Sequence, residues 1–230
     1  MNGTDLLLWV ALPYAAIAIF VVGHIWRYRT AQYTWTTRSS QLLERKALRI
    51  GSLSFHFGML AVVGGHVGGL IIPKSVTERL GITQHMYHQA AVVMGTAAGL
   101  LMSFGLLVLV LRRVGHARVR AASIGRDYLA AAALLFVVAT GMINTIGHQL
   151  LGTEYDYRES VSPWFRGIFS FQPDPELMAN APLSFKIHAA AAFLLFALWP
   201  FTRLVHAWSV PLAYLARPYI IFRRRDSVAR

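Results

Sequence analysis

Residues 50–73 read Ile-Gly-Ser-Leu-Ser-Phe-His-Phe-Gly-Met-Leu-Ala-Val-Val-Gly-Gly-His-Val-Gly-Gly-Leu-Ile-Ile-Pro, with no Asp, Glu, Lys or Arg but two histidines and six glycines. A helix needs about 20 apolar residues to cross a bilayer, and this stretch is long enough. Four other runs meet the same test: 6–26, 90–111, 128–151 and 182–208, the last charge-free between Lys186 and Arg203. The expected fold is an all-α integral membrane protein with five transmembrane helices. Little chain is left over, so residues 1–230 read as a single membrane domain.

Composition points the same way. The chain is 56% hydrophobic and 14% charged, whereas soluble proteins carry about 25% charged residues. That argues against a water-soluble enzyme, and the high hydrophobicity argues against disorder. There are no cysteines, which excludes disulfides, thiolate metal sites, cysteine-ligated iron–sulfur clusters and covalently attached c-type haem within this polypeptide. No internal repeat is visible. The Ala-rich patches at 130–133 and 189–192 suit close helix packing.

The formal charge of +12 is distributed asymmetrically. Arg27, Arg29, Arg38, Arg45, Lys46 and Arg49 follow the first run. Arg112, Arg113, Arg118, Arg120 and Arg126 follow the third, and Arg217, Arg223, Arg224, Arg225 and Arg230 form the tail. These account for sixteen of the twenty-two basic residues. The loop after the second run has only Lys74 and Arg79, and the loop after the fourth sets Arg158 and Arg166 against Glu154, Asp156, Glu159, Asp174 and Glu176. Lys/Arg-rich short loops stay in the cytoplasm, so the amino terminus is expected outside and the carboxy terminus inside. The first run reads as a retained span rather than a cleaved signal, because only Asp5 is charged before it and Arg27 and Arg29 follow it. Basic residues lying between spans give no support to a nucleic-acid role.

Ionisable residues inside a span are costly and point to function. His56 and His66 lie in the second span, His188 and His206 in the fifth. These spans run in opposite directions, so depth pairs His56 with His206 near the cytoplasm and His66 with His188 near the outside. Two imidazole pairs at two depths are what two bis-histidine haems need, and without Cys-x-x-Cys-His they would be non-covalent b haems. The spacings are unequal. Eighteen residues separate His188 from His206 and ten separate His56 from His66, or about 27 Å against about 15 Å of helical rise. Tilt, or a kink at Pro200, has to absorb the difference.

Gly51, Gly58, Gly64, Gly65, Gly68 and Gly69 allow either a flat macrocycle or a neighbouring helix to approach. Arg203 and Lys186, close in sequence to His206 and His188, are candidate partners for haem propionates; the alternative is that they snorkel to the interface. His85, His88 and His148 fall at outer span ends, where an imidazole can take a proton from a hydroquinone or simply cap a helix. His24 reads as interfacial and His116 as solvated. Two rival readings remain: a dihaem cytochrome b serving a hydrogenase or formate dehydrogenase, and a transporter using histidines for a metal or a proton relay. The expected absence of Asp and Glu from the spans speaks against the transporter.

Several motifs narrow the choice: Arg-Tyr-Arg-Thr-Ala-Gln-Tyr-Thr-Trp at 27–35, Ser-Ser-Gln-Leu-Leu-Glu-Arg-Lys at 39–46, Phe-His-Phe-Gly at 55–58 and Gly-Gly-His at 64–66. Phe-Lys-Ile-His at 185–188 and Trp-Pro-Phe-Thr-Arg-Leu-Val-His-Ala-Trp-Ser-Val-Pro at 199–211 extend them. Together they resemble the gamma (cytochrome b) subunit family of membrane-bound respiratory nitrate reductases, over nearly the whole chain. The match is not complete: one member of the family has Arg where Lys186 stands, and a lysine-containing segment entering span three where this chain has His85 and His88. The loop at 152–184 shows little similarity.

The resemblance implies two b haems, on His56/His206 and His66/His188, in a bacterial cytoplasmic membrane. It also implies oxidation of menaquinol or ubiquinol at the outer side; the residues expected near that site, from their position at the outer span ends rather than from the resemblance, are His85, His88 and Gly65. Electrons would then pass inward to an iron–sulfur beta subunit and a molybdenum alpha subunit on the cytoplasmic face, where nitrate is reduced. Tyr33 and Trp35 in the first loop are expected anchors for those partners.

Overall fold

The computed structural model describes residues 2–36, 39–152, 155–209 and 216. Arg38, Glu154, the carboxy-terminal arginines Arg217, Arg223, Arg224, Arg225 and Arg230, and the Val210-Pro211 end of the last motif lie outside the described residues. The described residues contain five helices long and apolar enough to cross a membrane: Gly3–Thr30, Lys46–Ile71, Gln84–Gly115, Gly125–Leu150 and Leu183–Phe201. These are spans one to five below.

Spans one to four begin before their charge-free stretches because polar residues extend or cap them, whereas span five ends at Phe201, short of the expected 208. Span three begins at Gln84 rather than near residue 90, since the Thr83 side chain accepts the Met86 N–H at 3.2 Å. Span four begins at Gly125, and this brings Asp127 into its first turn, where the carboxylate accepts the Ile124 N–H at 3.2 Å. The expected charge-free runs hold no acidic residue, but the longer helices take in two, Asp5 in the first turn of span one and Asp127 in that of span four. A carboxylate is stabilised there by the unpaired N–H groups of a helix start.

Spans two and three make the most extensive packing in the molecule. Glycine explains it: a Cβ at Gly58 would collide with the Met102 backbone nitrogen, and one at Gly105 with the Phe55 nitrogen. Gly51 lies against Val108, Leu109 and the Gly105 carbonyl. These glycines bring two backbones into contact; a Cβ at Gly64, Gly65 or Gly68 would meet nothing within 4 Å. Span five packs on spans one and four. Large apolar side chains such as Val22, Leu60, Val93, Phe104 and Phe136 are left facing outward, as a lipid-facing surface requires.

The segment after span four packs closely against the rest of the protein. Its helices Val161–Phe169 and Pro175–Ala179 bury Trp164, Ile168 and Met178 against Trp9 and Phe193. Ser162 donates to the Gly69 carbonyl at 2.9 Å and Arg166 to the Leu70 carbonyl at 3.0 Å. Both carbonyls belong to the π-helical end of span two, Val67–Ile71. Lys74 bridges Asp156 at 3.2 Å and also pairs with Glu159, and this raises its pKa. Arg158, 3% exposed, lies 3.9 Å over the Tyr87 ring, whose hydroxyl is 3.2 Å from that of Tyr157. Burial pushes the Tyr157 phenol up, so it stays protonated.

Candidate functional site

Span five is interrupted between its two histidines. Pro200 has no N–H to continue the helical ladder. The chain passes through a 3-10 turn at Trp199–Phe201, an extended Thr202 (φ −116°, ψ −178°) and a second 3-10 segment, Arg203–Ser209. The Trp199 indole donates to the Leu204 carbonyl at 2.8 Å and ties the second segment back to the first. His206 therefore does not continue the axis carrying His188, and the rise expected of an unbroken helix does not apply.

With the break in place, both pairs meet. The ring centres of His56 and His206 are 6.1 Å apart, and those of His66 and His188 are also 6.1 Å apart. Two imidazoles on one iron have centres separated by about 6 Å, from metal–nitrogen bonds of about 2 Å and about 1 Å from nitrogen to ring centre. Spans two and five are not closely packed on one another; they approach through these rings.

Each ring is oriented through Nδ1. His56 bonds the Ser52 carbonyl at 2.7 Å and His66 the Val62 carbonyl at 2.8 Å, both one turn back on the same helix. His206 bonds the Arg203 carbonyl at 2.7 Å. His188 reaches across to span four, 3.1 Å from both the Val137 carbonyl and the Thr140 hydroxyl. A carbonyl only accepts, so Nδ1 carries the proton in all four and Nε2 keeps its lone pair. Metal-bound histidines show this arrangement, and the donor set fits b haem. His24 differs: its Nδ1 contacts the Phe20 carbonyl at 2.6 Å and its Nε2 accepts from the Trp208 indole at 3.2 Å. Both its nitrogens are used within the protein, among Phe20, Trp35 and Trp208.

A cleft of about 670 Å³ opens beside the His56/His206 pair, lined by both histidines, Arg45, Arg49, Arg113 and Arg203, and by Asp127. Asp127, 6% exposed, is 3.3 Å from Arg113 and 3.6 Å from Arg203. At the rim, buried Arg112 bonds the Glu44 carboxylate at 2.6 Å and the Ser40 and Glu44 carbonyls at 3.0 and 2.8 Å. The Ala47 N–H, and then Arg112, hold the Glu44 carboxyl down at about 2.

Near His188, Lys186 donates to the Ala179 carbonyl at 2.5 Å, in the segment between spans four and five. His85 is exposed and His88 half-buried on the first turns of span three, and His148 lies against Phe185 with ring centres 5.7 Å apart. Gly65 adjoins His66 with open space where a Cβ would be. Sequence reasoning missed Thr140 and Gly141. A Cβ at Gly141 would sit 3.0 Å from His188 Cε1, so glycine admits the ring and threonine orients it. Nothing in their spacing could signal this, because the contact joins two spans 48 residues apart in sequence.

The nitrate reductase gamma subunit family matches residues 5–225. The chain is 46% identical to the nitrate reductase gamma chain of Bacillus subtilis (strain 168), over 96% of this chain and 98% of that one. It is 33% identical to the respiratory nitrate reductase 1 gamma chain of Escherichia coli (strain K12), over 93% and 94% of the two chains. With its five long apolar helices it is a membrane protein, and it belongs to the nitrate reductase gamma subunit family.

Proposed function

We propose that this chain is the cytochrome b of a respiratory nitrate reductase, a single membrane domain with its amino terminus outside and its carboxy terminus in the cytoplasm. The observation that carries the reading is the repeated pair geometry: two imidazole pairs, each with ring centres 6.1 Å apart and every Nδ1 engaged. His56 and His206 hold the inner haem, and His66 and His188 the outer one. When bound, two b haems at two depths supply a path for single electrons across the membrane.

The protein's own residues supply orientation and charge. Carbonyl acceptors fix each imidazole tautomer and make Nε2 a stronger donor. Arg45, Arg49, Arg113 and Arg203 give the inner cleft a cationic face suited to propionates, and Asp127 holds two of them. Quinol binds beside His66, where Gly65 leaves room, and His85 or His88 accepts its hydroxyl protons and passes them outside. One quinol releases two protons and two electrons, and the electrons leave at the cytoplasmic face for an iron–sulfur beta subunit. A molybdenum alpha subunit then uses them, with two protons, to convert nitrate to nitrite and water.

Moving each electron inward against the membrane potential costs about 2.3 kcal/mol per 100 mV, which the redox drop from quinol to nitrate supplies. The first loop offers Tyr33, 99% exposed, as an aromatic anchor for the partners. The test is a reduced-minus-oxidised visible spectrum of the purified protein with quinol as reductant. The reading requires a b-haem α band that appears on adding quinol; a protein without that band is a transporter or a structural subunit.

A further inference from the structure

We infer that Arg27 is a positioning residue for the inner histidine pair: from span one it holds the break in span five that lets His206 meet His56. The inference rests on the dihaem reading above.

An unbroken helix would place His206 about 27 Å along span five from His188, while span two offers only about 15 Å between His56 and His66. The break after Phe201 removes that conflict, but it frees backbone carbonyls in the interior. Pro200 and Thr202 are both buried, and a buried carbonyl must find a donor. Arg27 Nη1 donates to the Pro200 and Thr202 carbonyls, both at 2.7 Å. Its Nη2 donates to the Thr34 carbonyl at 2.8 Å and its Nε to the Thr34 hydroxyl at 3.3 Å. One rigid fork thus joins span one, the first loop and both sides of the break.

At 8% exposed, this side chain is not snorkelling to headgroups. Gly23, one turn earlier on span one, completes the seat: a Cβ there would lie 2.7 Å from the Pro200 ring. Downstream, the Trp199–Leu204 and His206–Arg203 bonds carry the fixed backbone to the imidazole. Lysine offers a point charge instead of a planar fork, so it can satisfy only part of this set.

The test compares Arg27→Gln, Arg27→Lys and Gly23→Val with the wild type and with the exposed control Arg29→Gln, in the purified complex. Visible and EPR redox titrations resolve the two haems, and a His56→Ala variant identifies the inner one. Arg27→Gln and Gly23→Val are expected to lower inner-haem affinity about tenfold or more, or to displace its midpoint potential, while leaving the outer haem unchanged. Arg27→Lys should be intermediate and Arg29→Gln unaltered. An unchanged inner haem in Arg27→Gln overturns the inference, as does equal loss of both haems. A wild-type complex without b-haem bands overturns the functional reading itself, and this inference with it.

Discussion

His188 and Thr140 stand 3.1 Å apart across the boundary between spans five and four, and through this contact span four takes part in a pair that belongs to spans two and five. The Thr140 hydroxyl donates to the Phe136 and Val137 carbonyls, at 2.9 and 3.0 Å, so its lone pairs face the His188 Nδ1–H. Thr140→Val keeps the shape and removes one of two acceptors. The ring becomes a weaker donor to an oxidised iron, so the outer-haem midpoint potential should rise while the inner one stays put. The Val137 carbonyl remains, so the loss of haem affinity should stay below about tenfold. Potentiometric titration decides; an unchanged outer potential, or a shift confined to the inner haem, contradicts this role.

The glycines of span two fall into two groups with opposite outcomes. Gly58→Leu forces a side chain into the Met102 backbone, which cannot yield, and should destabilise the folded protein by about 1–3 kcal/mol or more. Gly65→Ala adds a methyl where nothing lies within 4 Å, and should leave folding intact. Thermal denaturation in detergent separates them. Equal melting behaviour of the two variants would show that the close contact of spans two and three does not govern stability.

The rim of the inner cleft should respond to acid. The Glu44 carboxyl is held from 4.5 down to about 2 by the Ala47 N–H and Arg112. A depressed carboxyl stabilises the folded form fully above its unfolded value and loses that contribution as pH falls through the folded one. The first loop should therefore loosen from span three between about pH 4.5 and about 2. Pepsin, active in that window, should cut at exposed Leu42 increasingly as pH falls. Glu44→Gln should be cut readily throughout. Identical cleavage profiles for the two proteins would count against the Glu44–Arg112 anchor.

The spans were legible because lipid tolerates few charges, so charge-free runs mark them in the sequence itself. That His56 comes beside His206 and His66 beside His188 was legible for the same reason, since antiparallel spans order positions along the bundle. Three features were not legible. The helix ends depend on local capping, as with Thr83, which starts span three well before its apolar run. The unequal histidine spacings asked for tilt or a kink at Pro200, and the break is there, but the guanidinium 173 residues away that binds its carbonyls is connected to it by no spacing rule. The packing of the segment after span four was unreadable because Trp164 and Met178 are buried against Trp9 from span one, a contact set by tertiary packing rather than by periodicity.

The central claim, two haems on two separate histidine pairs, is tested most directly by potentiometric titration of the b-haem α band in the wild type, His56→Ala and His66→Ala. The account predicts two components in the wild type, loss of one in His56→Ala, and loss of the other in His66→Ala. A single wild-type component, or loss of the same component in both variants, would contradict it.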